Sequence, residues 1–179
     1  MPLRIFPVSG GARVSNDFNA APTTGQRAHA GNDIFAAEGT PLLAVDDGYA
    51  SFGHDPKGGN IVSLRAPDGT RYYYAHLLRF DGGPRSVRAG DVVGYLGRTG
   101  NAVGTAPHLH FEIHPGGGAA IDPFPALRRA TIARPGAPSG TSRIALGLAV
   151  AGLVGVGAWW LSQGEGRYYT RRYLGTRTV

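Results

Sequence analysis

The chain has 179 residues, a formal net charge of +6, 29 glycines, 13 prolines and no cysteine, enough for one domain of ordinary size plus a small extra segment. The lack of cysteine excludes disulfide frameworks, thiolate metal sites and cysteine nucleophiles, and 42% hydrophobic against 17% charged residues excludes general disorder. The positive charge is concentrated at one end: residues 1–125 hold ten basic and eleven acidic side chains, whereas residues 126–179 hold eight arginines and one glutamate. The first stretch therefore lacks the basic patch of a nucleic-acid-binding domain, and no nucleic-acid partner is expected.

The opening MPLRIFPVSGG has a short apolar stretch broken by Pro7, without the long apolar core of a signal peptide. Short β-favouring runs follow at Leu42–Val45, Gly48–Phe52, Asn60–Arg65, Arg71–Leu77, Asp91–Leu96 and His108–His114, and long amphipathic helical periodicity is missing. Pro67-Asp68-Gly69 joins two of these runs as a turn, because proline presets φ and glycine accepts a positive φ. Residues 1–125 are thus predicted to form a mainly β domain, an antiparallel sheet with long surface loops and little helix. Residues 126–143 read as a linker rich in Pro, Gly and Arg, including ARPGAPSGTS at 133–142.

Residues 144–161, IALGLAVAGLVGVGAWWL, carry no charge over 18 positions; as a helix this run would span about 27 Å, close to the hydrocarbon thickness of a bilayer. Arg143 precedes it, Trp159 and Trp160 lie near its end, and residues 162–179 form a basic tail with Arg167, Arg171 and Arg172, the usual interfacial anchors of a spanning helix. Gly147, Ala151 and Gly155 recur every fourth position, a small-residue stripe through which two such helices could form a homo-oligomer. The expected arrangement is a domain tethered to a lipid membrane by a single C-terminal transmembrane helix. Four arginines on each side of the run leave its orientation open.

Two spacings carry chemistry. His29 and Asp33 lie four apart in HAGND, and His108 and His110 lie two apart in APHLHFEI. Even spacing on extended chain points side chains to one face, so each pair can converge on a point. Two imidazoles and a carboxylate suit zinc and leave a fourth position for water. Spacing alone does not choose between His108 and His110 as the second imidazole ligand.

Taken together, HAGND, GTPLLAVDDGYA, GGNIVSL, YYYAHL and VRAGDVVGYLGRTGNAVGTAPHLHFEI resemble the lysostaphin/LytM-type zinc metallopeptidases over roughly residues 25–125. The resemblance implies an antiparallel β-sheet metallopeptidase fold and an endopeptidase that cuts the peptide part of bacterial peptidoglycan, next to Gly or D-Ala. It implies His29, Asp33 and His110 as ligands of one zinc ion per chain, and His76 and His108 as a catalytic pair that handles protons and stabilises the oxyanion. All five positions are filled here, which favours an active enzyme. The alternatives are a non-catalytic wall-binding or hydrolase-activating module of the same fold, or a host enzyme remodelling its own envelope. Location in a virion membrane, as a bacteriophage lysin used at entry, and location in a bacterial cell envelope both accommodate the tether.

The neighbouring residues have plainer expectations. Gly97, Gly100 and Gly104 are predicted to shape the loop that brings the HLH strand to the metal. Asn60 suits either the border of a substrate groove or a strand end. Glu112 shares the strand face of His110, so a supporting hydrogen bond is open to it, but solvent exposure is expected for Glu112, His54 and His114. Tyr72, Tyr73 and Tyr74 alternate across a strand and are expected to pack, with glycan contact left open for one of them.

Overall fold

The computed structural model describes residues 3–21 and 28–133. The segment 144–161, its small-residue stripe and the tail 162–179 lie outside the described residues. Among the described residues no helix is long and apolar enough to cross a membrane. Helix there amounts to α1 (Phe124–Leu127) and two single 3-10 turns.

Strands dominate, and every pairing of the named strands is antiparallel. The main sheet has seven strands, with β10 near its centre. In chain order these are β1 (Arg13–Val14), β2 (Asn32–Phe35), β4 (Gly48–Asp55), β5 (Gly59–Arg65), β6 (Arg71–Leu77), β8 (Arg85–Val87) and β10 (His108–His114). They lie in the order β1-β2-β10-β6-β5-β4-β8, and a smaller sheet joins β3 (Pro41–Leu43), β9 (Val92–Tyr95) and β7 (Arg79–Phe80) in the order β3-β9-β7. The predicted runs Arg71–Leu77 and His108–His114 coincide end to end with β6 and β10. The Pro67-Asp68-Gly69 turn closes as expected, with Gly69 at φ +84° and its N–H donating to the Ala66 carbonyl.

The core lies on one face of the main sheet. Leu109, Phe111 and Ile113 of β10 point into it beside Ile34 of β2 and Tyr72 and Tyr74 of β6. Burying such side chains contributes about 1.5–3 kcal/mol each, which fixes the register of the central strands. The Tyr74 hydroxyl is also satisfied, donating to the Leu43 carbonyl and accepting from the Val45 N–H. The chain stays packed beyond residue 125, where the sequence suggested the domain boundary: Ala126 and Leu127 join the core, and Thr131 bridges to Ile5 near the start of the chain.

Two irregularities position the site. His110 pairs with Asp33 on one side and Ala75 on the other, so both neighbours present side chains on the face of β10 opposite the core. Between β5 and β6 the register advances from Asn60 to Val62 on one strand but from Leu77 to Tyr74 on the other, one extra residue in β6. That bulge contains His76 at φ +68°, a left-handed conformation uncommon outside glycine. Strict alternation would send His76 into the core with Tyr74; the bulge turns it to the same side as Tyr73 and Ala75, where all three line one groove.

Candidate metal centre and catalytic groove

The groove, about 570 Å³, runs over the non-core face of β2, β10 and β6 and is closed at one side by the Asn101–Thr105 loop. His29, Asp33, His76, His108 and His110 all line it. At its floor His29 Nε2, Asp33 Oδ1 and His110 Nδ1 form a triangle with edges of 2.8, 3.1 and 3.3 Å. Two ligands placed tetrahedrally at 2.0–2.1 Å from a zinc ion stand about 3.3 Å apart. The triangle therefore matches a tetrahedral zinc face, and among the described residues this cluster is the candidate His/Asp metal site.

Hydrogen-bond partners assign the ring nitrogens, since a carbonyl or carboxylate can only accept. His29 donates from Nδ1 to the Asp17 carbonyl at 3.2 Å, and His110 donates from Nε2 to Glu112 Oε1 at 3.0 Å. The nitrogens facing the triangle are then unprotonated in the neutral rings. Three electron-pair donors converge there, and that arrangement calls for a cation.

Without a metal, protons take its place. Hydrogen bonding to Asp33 raises His29 above the ordinary histidine range. Burial alone would lower His110, but hydrogen bonds with Asp33 and Glu112 outweigh it and raise the ring to about 9. Burial likewise works to raise Asp33, yet its bonds to His110 and His29 hold the carboxyl well below the usual carboxylate range.

His76 and His108 sit beside this triangle, their ring centroids 4.9 Å apart, with His76 6.0 Å from His110. The Nδ1–H of His76 donates to the Thr99 carbonyl at 2.9 Å, and that of His108 to the Ala106 carbonyl at 2.8 Å. In the neutral form of each ring the lone pair is then on Nε2, and that of His108 lies 3.9 Å from Asp33 Oδ2. Burial lowers His76 to about 4, so the ring is neutral at neutral pH.

Several supporting residues differ from expectation. Glu112 and His114 are not solvent-exposed: their side chains are 15% and 11% accessible, and Glu112 bridges the two rings, accepting from His110 at 3.0 Å and from His114 Nε2 at 2.5 Å. Strand polarity suggested water contact, but this face lies beneath the walls of the groove. Tyr72 and Tyr74 pack in the core as predicted, whereas Tyr73 lines the groove and donates its hydroxyl to Asp55 Oδ2 at 2.6 Å. Asn60 takes the strand-end role, its amide donating to the Leu77 carbonyl at 3.1 Å. His54 is exposed as expected. Sequence reasoning missed Asp17, whose Oδ1 lies 3.4 Å from His29 Nδ1 and accepts from the Asp33 backbone N–H at 3.4 Å. No local spacing signals Asp17, because it reaches the site from a loop.

Gly100, at φ +68°, permits the close approach of this loop to the β4–β5 turn; a Cβ there would collide with the Lys57 carbonyl oxygen and the Gly59 nitrogen. Of the three loop glycines, Gly97 also packs tightly, against Leu78 and the His76 carbonyl, while Gly104 stands in open space.

A mainly antiparallel sheet that presents two histidines and an aspartate on one point, with two further imidazoles alongside, has the donor set of a mononuclear metal-dependent hydrolase. Residues 27–123, just over half of the chain, match the model of Peptidase family M23, and the chain belongs to that metallopeptidase family. It is 42% identical over 87 residues to the DD-carboxypeptidase/endopeptidase Mpg of Neisseria meningitidis, a match covering 48% of this chain and 20% of that one. It is 40% identical over 107 residues to a peptidoglycan DD-endopeptidase of Vibrio cholerae, covering 56% of this chain and 24% of that one. The chain thus spans a fifth to a quarter of the length of these curated relatives. Among solved structures it resembles the catalytic domain of lysostaphin from Staphylococcus simulans, with a TM-score of 0.59, 32% identity, and coverage of 65% of this chain and 92% of that one.

Proposed function

We propose that this chain is a zinc-dependent endopeptidase that hydrolyses peptide bonds of bacterial peptidoglycan. The observation that carries the reading is the convergence of His29 Nε2, Asp33 Oδ1 and His110 Nδ1 at zinc-ligand spacing, in a groove that also holds two further imidazoles. A zinc ion held there supplies a Lewis acid that activates water and polarises a scissile carbonyl. The chain's own groups supply the proton handling. His76 and His108, each fixed by a carbonyl at Nδ1, offer Nε2 to accept a proton from the nucleophile, to stabilise the developing oxyanion once protonated, and to return the proton to the leaving amine. Asp17 and Glu112 orient the two ligand imidazoles from behind.

Peptidoglycan as the substrate is supported by family membership and by relatives named for it, including the Vibrio cholerae enzyme, a glycyl-glycine endopeptidase of Staphylococcus capitis and an L-Ala–D-Glu endopeptidase of Bacillus subtilis. The test is to incubate the purified zinc-loaded protein with sacculi of several wall types and to identify released muropeptides by mass spectrometry. New peptide termini that vanish on chelation and in His110→Ala establish the activity and name the bond. A folded, zinc-loaded protein that binds sacculi and releases nothing sinks the catalytic reading in favour of a wall-binding or activator module.

The tether belongs to the same proposal. The uncharged run 144–161 with its flanking arginines and tryptophans supports single-pass anchoring in a bacterial envelope or a virion membrane, with the small-residue stripe available for helix pairing. Fractionation of the full chain beside one ending at Ser142 tests this: only the full chain should pellet with membranes and resist extraction by alkali. Recovery of the intact protein from purified virions would support the bacteriophage setting, and recovery only from uninfected cells would reject it.

A further inference from the structure

We infer that Glu112 and His114 form a positioning relay that fixes the metal-facing nitrogen of His110. The inference rests on the zinc-site part of the proposed function and not on the identity of the substrate.

Three alternate residues of β10, His110, Glu112 and His114, share the face opposite Leu109, Phe111 and Ile113. Glu112 Oε1 accepts from His110 Nε2 at 3.0 Å, and Glu112 Oε2 accepts from His114 Nε2 at 2.5 Å. The other His114 nitrogen, Nδ1, lies 2.7 Å from the Gly118 carbonyl. The relay therefore runs from the site along the strand and ends on main chain, in the turn that follows β10.

Each link removes one freedom. A carboxylate at Nε2 leaves His110 Nδ1 as the lone-pair nitrogen and sets the ring plane. A carboxylate free to rotate would do this poorly. Here His114 holds the second oxygen, and the Gly118 carbonyl holds His114 in turn. His114 is 8% exposed and Glu112 is largely covered, so water does not readily replace either partner. Among the described residues neither side chain hydrogen-bonds Asp33 Oδ1 or His29 Nε2, which makes the relay a support for His110 and not a fourth ligand.

The test measures zinc affinity of the full chain by competition with a chromophoric chelator, alongside ¹⁵N spectra of the His110 ring. Glu112→Leu is expected to weaken zinc about 10–100-fold. His114→Leu, which leaves Glu112 and all three ligands in place, is expected to weaken it about tenfold. His114→Gln, which retains an N–H donor toward Glu112, should recover most of that loss. In the zinc-loaded parent the ¹⁵N spectra should show the His110 Nε2–H slowly exchanging and shifted by its bond to the Glu112 carboxylate, and faster exchange with a moved resonance in His114→Leu. Far-UV circular dichroism of each metal-free variant reports folding, and the isosteric Glu112→Gln, with a smaller loss expected, substitutes for Glu112→Leu if that variant does not fold. Unchanged affinity and an unchanged His110 Nε2–H resonance in both Glu112→Gln and His114→Leu overturn the relay while leaving the zinc site standing. A parent protein that takes up no zinc overturns both.

Discussion

Asp33 and His110 face each other as register partners on β2 and β10, with Oδ1 3.1 Å from Nδ1. Sheet pairing itself sets the separation of two donors that lie 77 residues apart in the chain. Replacing Asp33 by Asn keeps the shape and the strand pairing but removes the anionic donor. Zinc affinity should fall on the order of 100-fold or more, with loss of hydrolysis and little change in far-UV circular dichroism. Stoichiometric zinc in Asp33→Asn after dialysis would remove Asp33 from the ligand set.

Metal uptake should be coupled to proton release. Metal-free His110, raised to about 9, carries a proton at pH 7 that zinc must displace. Calorimetry in buffers of different ionisation enthalpy should register at least one proton released at pH 7 and progressively fewer above pH 9. The same shift has a stability consequence for the metal-free protein. A folded value above the unfolded value of about 6.5 means stabilisation fully present below pH 6.5 and lost as pH rises through about 9, on the order of 3 kcal/mol at most. Thermal melts should show the metal-free protein weakening over that window, and zinc abolishing the trend.

His76 contributes no hydrogen bond to the ligand triangle, so His76→Ala should retain stoichiometric zinc. Turnover should fall about 10²–10⁴-fold. Since burial lowers this ring to about 4, its effect on stability has the opposite sign to that of His110. Stability is present above pH 6.5 and lost as pH falls through about 4, because the unfolded chain takes up the proton first. His76→Ala should therefore show a shallower acid loss between pH 6.5 and 4 than the parent. An equal slope would mean that the buried ring is not what pays for acid instability.

Gly100→Ala is expected to destabilise the domain by about 2–3 kcal/mol, since the added methyl meets the Lys57 carbonyl and the left-handed φ disfavours any side chain. Gly104→Ala, at a positive φ but in open space, should cost about 1 kcal/mol. Chemical denaturation of the two variants compares them directly. Equal costs would show that backbone conformation, and not the close approach, governs this loop.

Much of the sheet was legible because its central strands bury one face: Tyr72 and Tyr74 alternate with Tyr73, and Leu109, Phe111 and Ile113 alternate with histidines. The strands β1, β7 and β8, of two or three residues, are too short to show a period. The four-residue β2, NDIF, carries no strand signal because it begins with Asn and Asp, residues more typical of turns. At the site, the two spacings located the donors, yet nothing in YAHL shows that His76 leaves the alternation of its strand; the bulge arises from pairing with β5, a non-local event. The hydrogen bond open to Glu112 on the face of His110 forms, but the burial of Glu112 and His114 is not legible for a related reason. Polar residues on an outward strand face look solvated until the loops that cover them are known.

The two faces of β10 tie alignment to chemistry. Sliding this strand by one position against β2 and β6 would turn His108, His110, Glu112 and His114 into the apolar core and three large apolar side chains onto the groove face. A misaligned chain would then be unable to capture a metal at all. If the site holds zinc as proposed, its uptake during refolding would time the moment at which the central strand finds its place, and chains trapped out of step would be distinguishable as the fraction that never acquires metal.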